Sequence, residues 1–162
     1  SRRAGGCARG RGRDMIVADV NLLVYAYRLE SDRHDRAAAW LAETLSGGDD
    51  VALIDVVLSG FLRIVTNGKI FADPAPASHA LDFVETVVSA SRSRWVAASP
   101  SAWRKMRELV SNDRGLRGNL IPDAFLAAVT ISQGARLATC DRGFARFPGL
   151  EWFDPLSRAP SL

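Results

Sequence analysis

Three aspartates stand at the edges of apolar segments. Asp19 directly follows the run Met15-Ile16-Val17-Ala18, Asp123 follows Pro122 at the head of a long apolar stretch, and Asp141 lies just beyond Arg136-Leu137-Ala138-Thr139. Taken singly, each has a structural use, as a helix N-cap or as an acid in a first helical turn. Taken together they suggest chemistry. Carboxylates brought close to one another repel, and their pKa values rise unless a cation compensates them. Hard oxygen donors select Mg²⁺ or Mn²⁺ over zinc. A cation held by few carboxylates keeps positions open for water and a phosphate oxygen, which suits phosphodiester hydrolysis.

The remaining reactive side chains offer less. Cys7 and Cys140 lack CxxC or Cys/His spacing, so neither zinc nor a redox pair is indicated. Cys140 reads as a small, buried apolar residue rather than a nucleophile. His34 and His79 are isolated in polar surroundings and read as surface residues. Trp40, Trp95, Trp103 and Trp152 are expected in the core or at an interface rather than stacking bases. A phosphatase of the haloacid dehalogenase type needs a second acid two residues after the first, but Asn21 stands there, and the only lysines are Lys69 and Lys105.

The elements that must position the aspartates follow from hydrophobic periodicity. Strands are expected at 15–18, 51–54, 95–97 and 136–139, with a fifth at 150–152. Helical spacing covers 20–27, 34–46 (stopped by Gly47-Gly48), 56–66 (ended by Asn67-Gly68) and 78–89, with Ser78 as its cap. Further helices start at Pro100 and at Pro122. Short strands alternating with helices indicate an α/β fold with a mostly parallel sheet of four to five strands. In such folds ligands bind beyond the carboxyl ends of the strands, near a reversal of strand order, where Asp19 and Asp141 would lie.

The stretches MIVADVNLLVYA, FLRIVTN, NLIPDAFLAAV and LATCDRGFARFPGLEW, in this order over 15–156, resemble the PIN-domain nucleases, and among them the VapC-type toxins of bacterial toxin–antitoxin pairs. The resemblance implies a PIN-like three-layer α/β/α domain. Asp19 matches the family's first acidic ligand. Asp123 matches the acid of a D-x-x-x-A-A motif, with Ala127 and Ala128 in place. Asp141 matches the acid of a T-x-D-x-x-F stretch, with Thr139 and Phe144 in place. Asn21 occupies a position where small polar residues follow the first acid, so Asn21 and Thr139 are expected to support the pocket.

One position departs from the family. Where it usually carries a glutamate, in a sequence like S-E-F-L-R, this chain reads Ser59-Gly60-Phe61-Leu62-Arg63. Asp55, five residues earlier, lies about 140° away around a helix and is expected to cap the third helix instead. The resemblance implies a Mg²⁺- or Mn²⁺-dependent endoribonuclease acting on single-stranded or loop regions of tRNA or rRNA. It also implies restraint by a cognate antitoxin protein, and a homodimer. The alternative left open by Gly60 is a non-catalytic module that holds RNA or an antitoxin.

Charge narrows the partners. The chain of 162 residues has 21 Lys and Arg against 18 Asp and Glu. Residues 1–14 hold five arginines against Asp14, or +4, so 15–162 hold 16 basic and 17 acidic residues, or −1. The basicity therefore belongs to a Gly/Arg/Ala-rich segment expected to be a disordered tail upstream of the true start at Met15, with 15–162 as a single domain. The locally basic segment Arg104, Lys105, Arg107, Arg114 and Arg117 is the candidate RNA-phosphate track. A 48% hydrophobic, 24% charged composition excludes collagen-like, disordered and disulfide-scaffold classes. Without a signal-like segment or an 18-residue apolar run, a soluble cytoplasmic protein with no membrane partner is expected.

Overall fold

The computed structural model describes residues 13–157, so most of the expected basic tail lies outside the described residues. The chain alternates strands and helices: β1 (Met15–Ala18), α1 (Val20–Tyr27), α2 (His34–Ser46), β2 (Asp50–Leu53), α3 (Asp55–Val65), α4 (Ala77–Val88), β3 (Ser93–Trp95), α5 (Pro100–Asn112), α6 (Ile121–Ser132), β4 (Arg136–Ala138) and β5 (Trp152–Phe153). Short 3₁₀ turns at Gly118–Leu120 and Arg142–Arg146 precede α6 and follow β4. All five strands pair in parallel, in the order β3-β2-β1-β4-β5.

That order fixes the architecture. From β1 the chain steps outward to β2 and β3, then crosses back to β4 and β5 on the other side of β1. Right-handed crossovers put the helices of the first two steps on one face and those of the return on the other. Helix packing agrees: α1 lies against α2 and α3, α3 against α4, and α5 against α6. The result is the expected three-layer α/β/α domain. Central strands β1 and β4 are apolar throughout their cores, with Val17, Leu137 and Ala138 almost fully buried, as parallel strands covered on both faces must be. The direction of chain travel reverses between β1 and β4, so the crevice at their carboxyl ends is the switch point.

Three local expectations are corrected. β3 runs over 93–95 rather than 95–97, because it is an edge strand and can carry exposed Arg94; Val96 still donates its amide to the Leu53 carbonyl at 2.9 Å. Ser78 does not cap α4, which begins at Ala77 after Pro76. Asp55 does not cap α3 either: it is an exposed acid in the helix's first turn, where it faces the positive end of the dipole. Trp95 and Trp103 are 62% and 58% exposed and so lie outside the core, leaving an interface as their expected place, whereas Trp40 and Trp152 pack partly against the core.

Candidate active site

Asp19 occupies the N-cap position of α1, but its carboxylate makes no capping bond to that helix. It points instead to β4, where the Thr139 hydroxyl donates to Asp19 Oδ2 at 2.8 Å. The strands bring this about: Ala18 pairs with Ala138, and the Asp19 amide donates to the Ala138 carbonyl at 2.9 Å, so residues 19 and 139 stand side by side. The same Thr139 oxygen accepts the Asp141 amide at 3.0 Å. One fully buried hydroxyl thus ties the backbone of one aspartate to the side chain of another. Asp141 also accepts the Gly143 amide at 2.8 Å, capping its 3₁₀ turn. Asp123 sits half-buried in the first turn of α6.

The electrostatics mark these residues as a set. Burial pushes the Asp19 carboxyl up to about 6, Asp123 and Asp141 add repulsion, and the Thr139 hydrogen bond opposes the rise. Burial and then Asp141 push Asp123 up as well. Asp19 thus feels both other acids and Asp123 feels Asp141, and among the described residues none of the three forms an ion pair with a basic side chain. Thr139→Val is expected to drive the Asp19 carboxyl higher still and to destabilise the fold by about 1–3 kcal/mol, since the Asp141 amide and Asp19 Oδ2 both lose a partner. A carbon-detected NMR titration of Asp19, with thermal melts, checks both effects.

A cleft of about 640 Å³ opens between α1, α3 and the start of α6. Asp19 and Asp123 line it together with Asn21, Ser59, Gly60, Arg63 and Asn119, while Val20, Val56 and Ile64 form its apolar wall. Asp141 is exposed and lies outside this lining. Two carboxylates among neutral oxygen donors, with no sulfur or imidazole in the described lining, fit a hard divalent cation. Among the described residues, however, no three His, Cys, Asp or Glu side chains are gathered closely enough to form a ready metal cage. Gly60 stands on the cleft wall where a fourth acid would project. A Cβ built there meets only Val20 methyls at 3.4 and 3.9 Å, so the backbone does not require glycine.

Other expected residues disperse. Arg104 and Arg107 line a separate open hollow of about 590 Å³ beside Trp103, on α5. Lys105 is paired with Glu108 at 2.8 Å. Arg114 and Arg117 are exposed on the loop that leads to Gly118 and Asn119 at the cleft. Arg146, which flanks Asp141, is bound to Asp113 at 2.9 Å, joining that loop to the turn after β4. His79 is exposed and His34 Nδ1 lies 3.1 Å from the Tyr25 carbonyl, both away from the cleft. Burial and Asp154 push the Cys140 thiol up to about 11, so it is no nucleophile. Motif reading missed Arg63, Ser59 and Asn119 as cleft residues. Helical spacing from Gly60 to Arg63 was the available signal for one of them.

Comparison with known proteins agrees with this geometry. The PIN domain family profile matches residues 16–150. The chain is similar to ribonuclease VapC43 of Mycobacterium tuberculosis, at 36% identity over 142 residues, covering 88% of this chain and 96% of that protein. It is also similar to ribonuclease VapC33 of the same species, at 35% identity over 142 residues, covering 88% and 99%. Among solved structures, the fold is similar to VapBC2 from Rickettsia felis bound to a DNA fragment from their promoter, with a TM-score of 0.62 at 21% identity over 86% of this chain and 97% of that one. VapBC-1 from nontypeable Haemophilus influenzae gives a TM-score of 0.62 at 14% identity, covering 88% and 99%. A family profile that matches nearly the whole described chain, and relatives named VapC ribonucleases at 35–36% identity over nearly their whole length, settle the assignment: this chain belongs to the PIN domain family, in its VapC group.

Proposed function

We propose that the chain is a Mg²⁺- or Mn²⁺-dependent endoribonuclease that cuts single-stranded or loop RNA as the toxin of a toxin–antitoxin pair. The observation that carries this reading is the cleft in which two carboxylates, Asp19 and Asp123, lie together with no ion-pair partner among the described residues. Asp19 and Asp123 would hold the ion, with Asp141 directly or through water. When bound, the ion supplies charge neutralisation on phosphate oxygens and acidifies a water for in-line attack. The chain's own residues prepare that chemistry. Thr139 fixes the Asp19 carboxylate and the Asp141 backbone. Asn21 and Asn119 offer neutral amide donors along the cleft. Above pH 6 Asp19 is ionised and ready to serve as a ligand; as the pH falls below about 6 a proton competes with the ion and metal affinity weakens progressively.

The partners follow from the same reading. The RNA would be a tRNA or rRNA loop, read by shape and splayed bases. The cognate antitoxin would lay an apolar segment against Val20, Val56 and Ile64 and set a basic side chain against Asp19 and Asp123. VapB proteins accompany VapC in the solved neighbours, which supports such a partner. A homodimer would cover apolar surface such as exposed Trp103 and Val110 on α5. Among the described residues no helix is long and apolar enough to cross a membrane, and a cytoplasmic site of action is part of the proposal, as is a working domain over 15–162.

A second reading, a PIN-like module that binds RNA or an antitoxin without cutting, is favoured by two observations: Gly60 leaves the cleft wall without a further acid, and among the described residues no three-acid cage is formed. Incubation of the full chain with total RNA, in Mg²⁺, Mn²⁺ or EDTA, separates the two. Cutting is expected only with metal and is expected to fall by a factor on the order of 10²–10³ in Asp123→Asn, as when a transition-state charge partner is removed. Cutting that survives EDTA and the substitution rejects the mechanism. Silence from the unsubstituted chain selects the binding module.

A further inference from the structure

The cleft is not acidic throughout. On α3, Val56, Ser59, Gly60, Arg63 and Ile64 all line it, a spacing that places them on one helical stripe. Near the end of this stripe stands Arg63, an exposed residue that forms no ion pair among the described residues. An acid at position 60 would sit three residues before Arg63, within pairing reach. Glycine there leaves the arginine unpartnered and the space beside it open. The cleft therefore has an acidic pole at Asp19 and Asp123 and a cationic pole at Arg63. Arg63 also lies in the last turn of α3, where a cation suits the helix dipole. That effect explains a positive charge at this position, but not its place among the residues that line the cleft.

We propose that Arg63 is an RNA-binding residue that takes a backbone phosphate of the substrate neighbouring the one over Asp19 and Asp123. A guanidinium matches phosphate oxygens with parallel N–H donors, and one cation set apart from the carboxylates fixes the direction in which the strand crosses the cleft. The proposal rests on the ribonuclease reading above. The test is fluorescence anisotropy with a random-sequence 20-nucleotide single-stranded RNA pool between 50 and 200 mM salt, using the full chain with Asp123→Asn so that the RNA stays intact. Arg63→Gln and Arg63→Ala are each expected to flatten the slope of log affinity against log salt by about 0.7, the share of one phosphate contact on a single strand. Arg63→Lys is expected to keep the slope, and melting temperatures are expected to stay within a few degrees. An unchanged slope in folded Arg63→Gln and Arg63→Ala overturns the assignment to Arg63 alone. Absence of salt-dependent RNA binding by the parent Asp123→Asn chain overturns the ribonuclease reading with it.

Discussion

Asp19→Asn is expected to raise the melting temperature of the metal-free protein at pH 7.5 by roughly 5–10 °C while abolishing RNA cleavage. The Asp19 carboxyl is raised from its ordinary 3.8 to about 6. Between those values the folded chain binds more protons than the unfolded one, so stability falls as the pH rises through the window. Above pH 6 the full penalty applies, about 3 kcal/mol for a shift of this size. Asparagine is uncharged, and its amide oxygen can still accept the Thr139 hydroxyl. Removing the charge should therefore recover about 2–3 kcal/mol, and each kcal/mol is worth about 2–4 °C in a chain of this length. Divalent metal should raise the melting temperature of the unsubstituted chain and leave Asp19→Asn unmoved. Calorimetric melts with and without Mg²⁺ check all three statements. A metal-free Asp19→Asn protein that melts lower than its parent would mean that Asp19 is a structural hydrogen-bond anchor and not a strained ligand.

Gly60→Glu is the second large effect expected. The residue lies inside α3, where glycine is about 1 kcal/mol less favourable than alanine, and an added Cβ meets only Val20 methyls at ordinary contact distance. The new carboxylate would enter the cleft beside Asp19 and Asp123. Metal affinity should then tighten by a factor on the order of 10, because charge count on the ligands sets divalent affinity. A glutamate at 60 would also pair with Arg63, three residues along the helix. The salt slope for RNA should therefore flatten in this variant as it does in Arg63→Gln. Mn²⁺ binding followed by electron paramagnetic resonance, beside Gly60→Ala as the control for helix propensity, measures the first effect. Equal Mn²⁺ affinity in Gly60→Glu and Gly60→Ala would show that position 60 has no part in ligation.

The fold and the acids were readable for different reasons. β1, β4 and their neighbouring helices carry continuous apolar patterns because they are largely buried, and the limits of β1, α1 and β4 in the structure fall within a residue of those expected. β3 was misplaced by two residues because an edge strand need not be apolar, and the run Trp95-Val96-Ala97 drew the expectation past the true pairing. Asp19, Asp123 and Asp141 stood out through their place at element ends. What linear sequence could not supply was the role of Thr139 in tying two of them together, which depends on the register of β1 against β4. Nor could it distribute the basic residues: Arg104 and Arg107 share a helix with Lys105, yet line a separate hollow while Lys105 is held by Glu108.

Isothermal titration of Mg²⁺ into the full chain at pH 6.0, in two buffers of different ionisation enthalpy, probes the carboxylate site itself. A carboxyl with a pKa of about 6 is half protonated at that pH, and a ligand must be deprotonated to bind. Saturable binding with release of about half a proton or more per ion is predicted, with that release lost in Asp19→Asn. Binding with no proton release, or no saturable binding at all, would contradict a cation site built on Asp19 and Asp123.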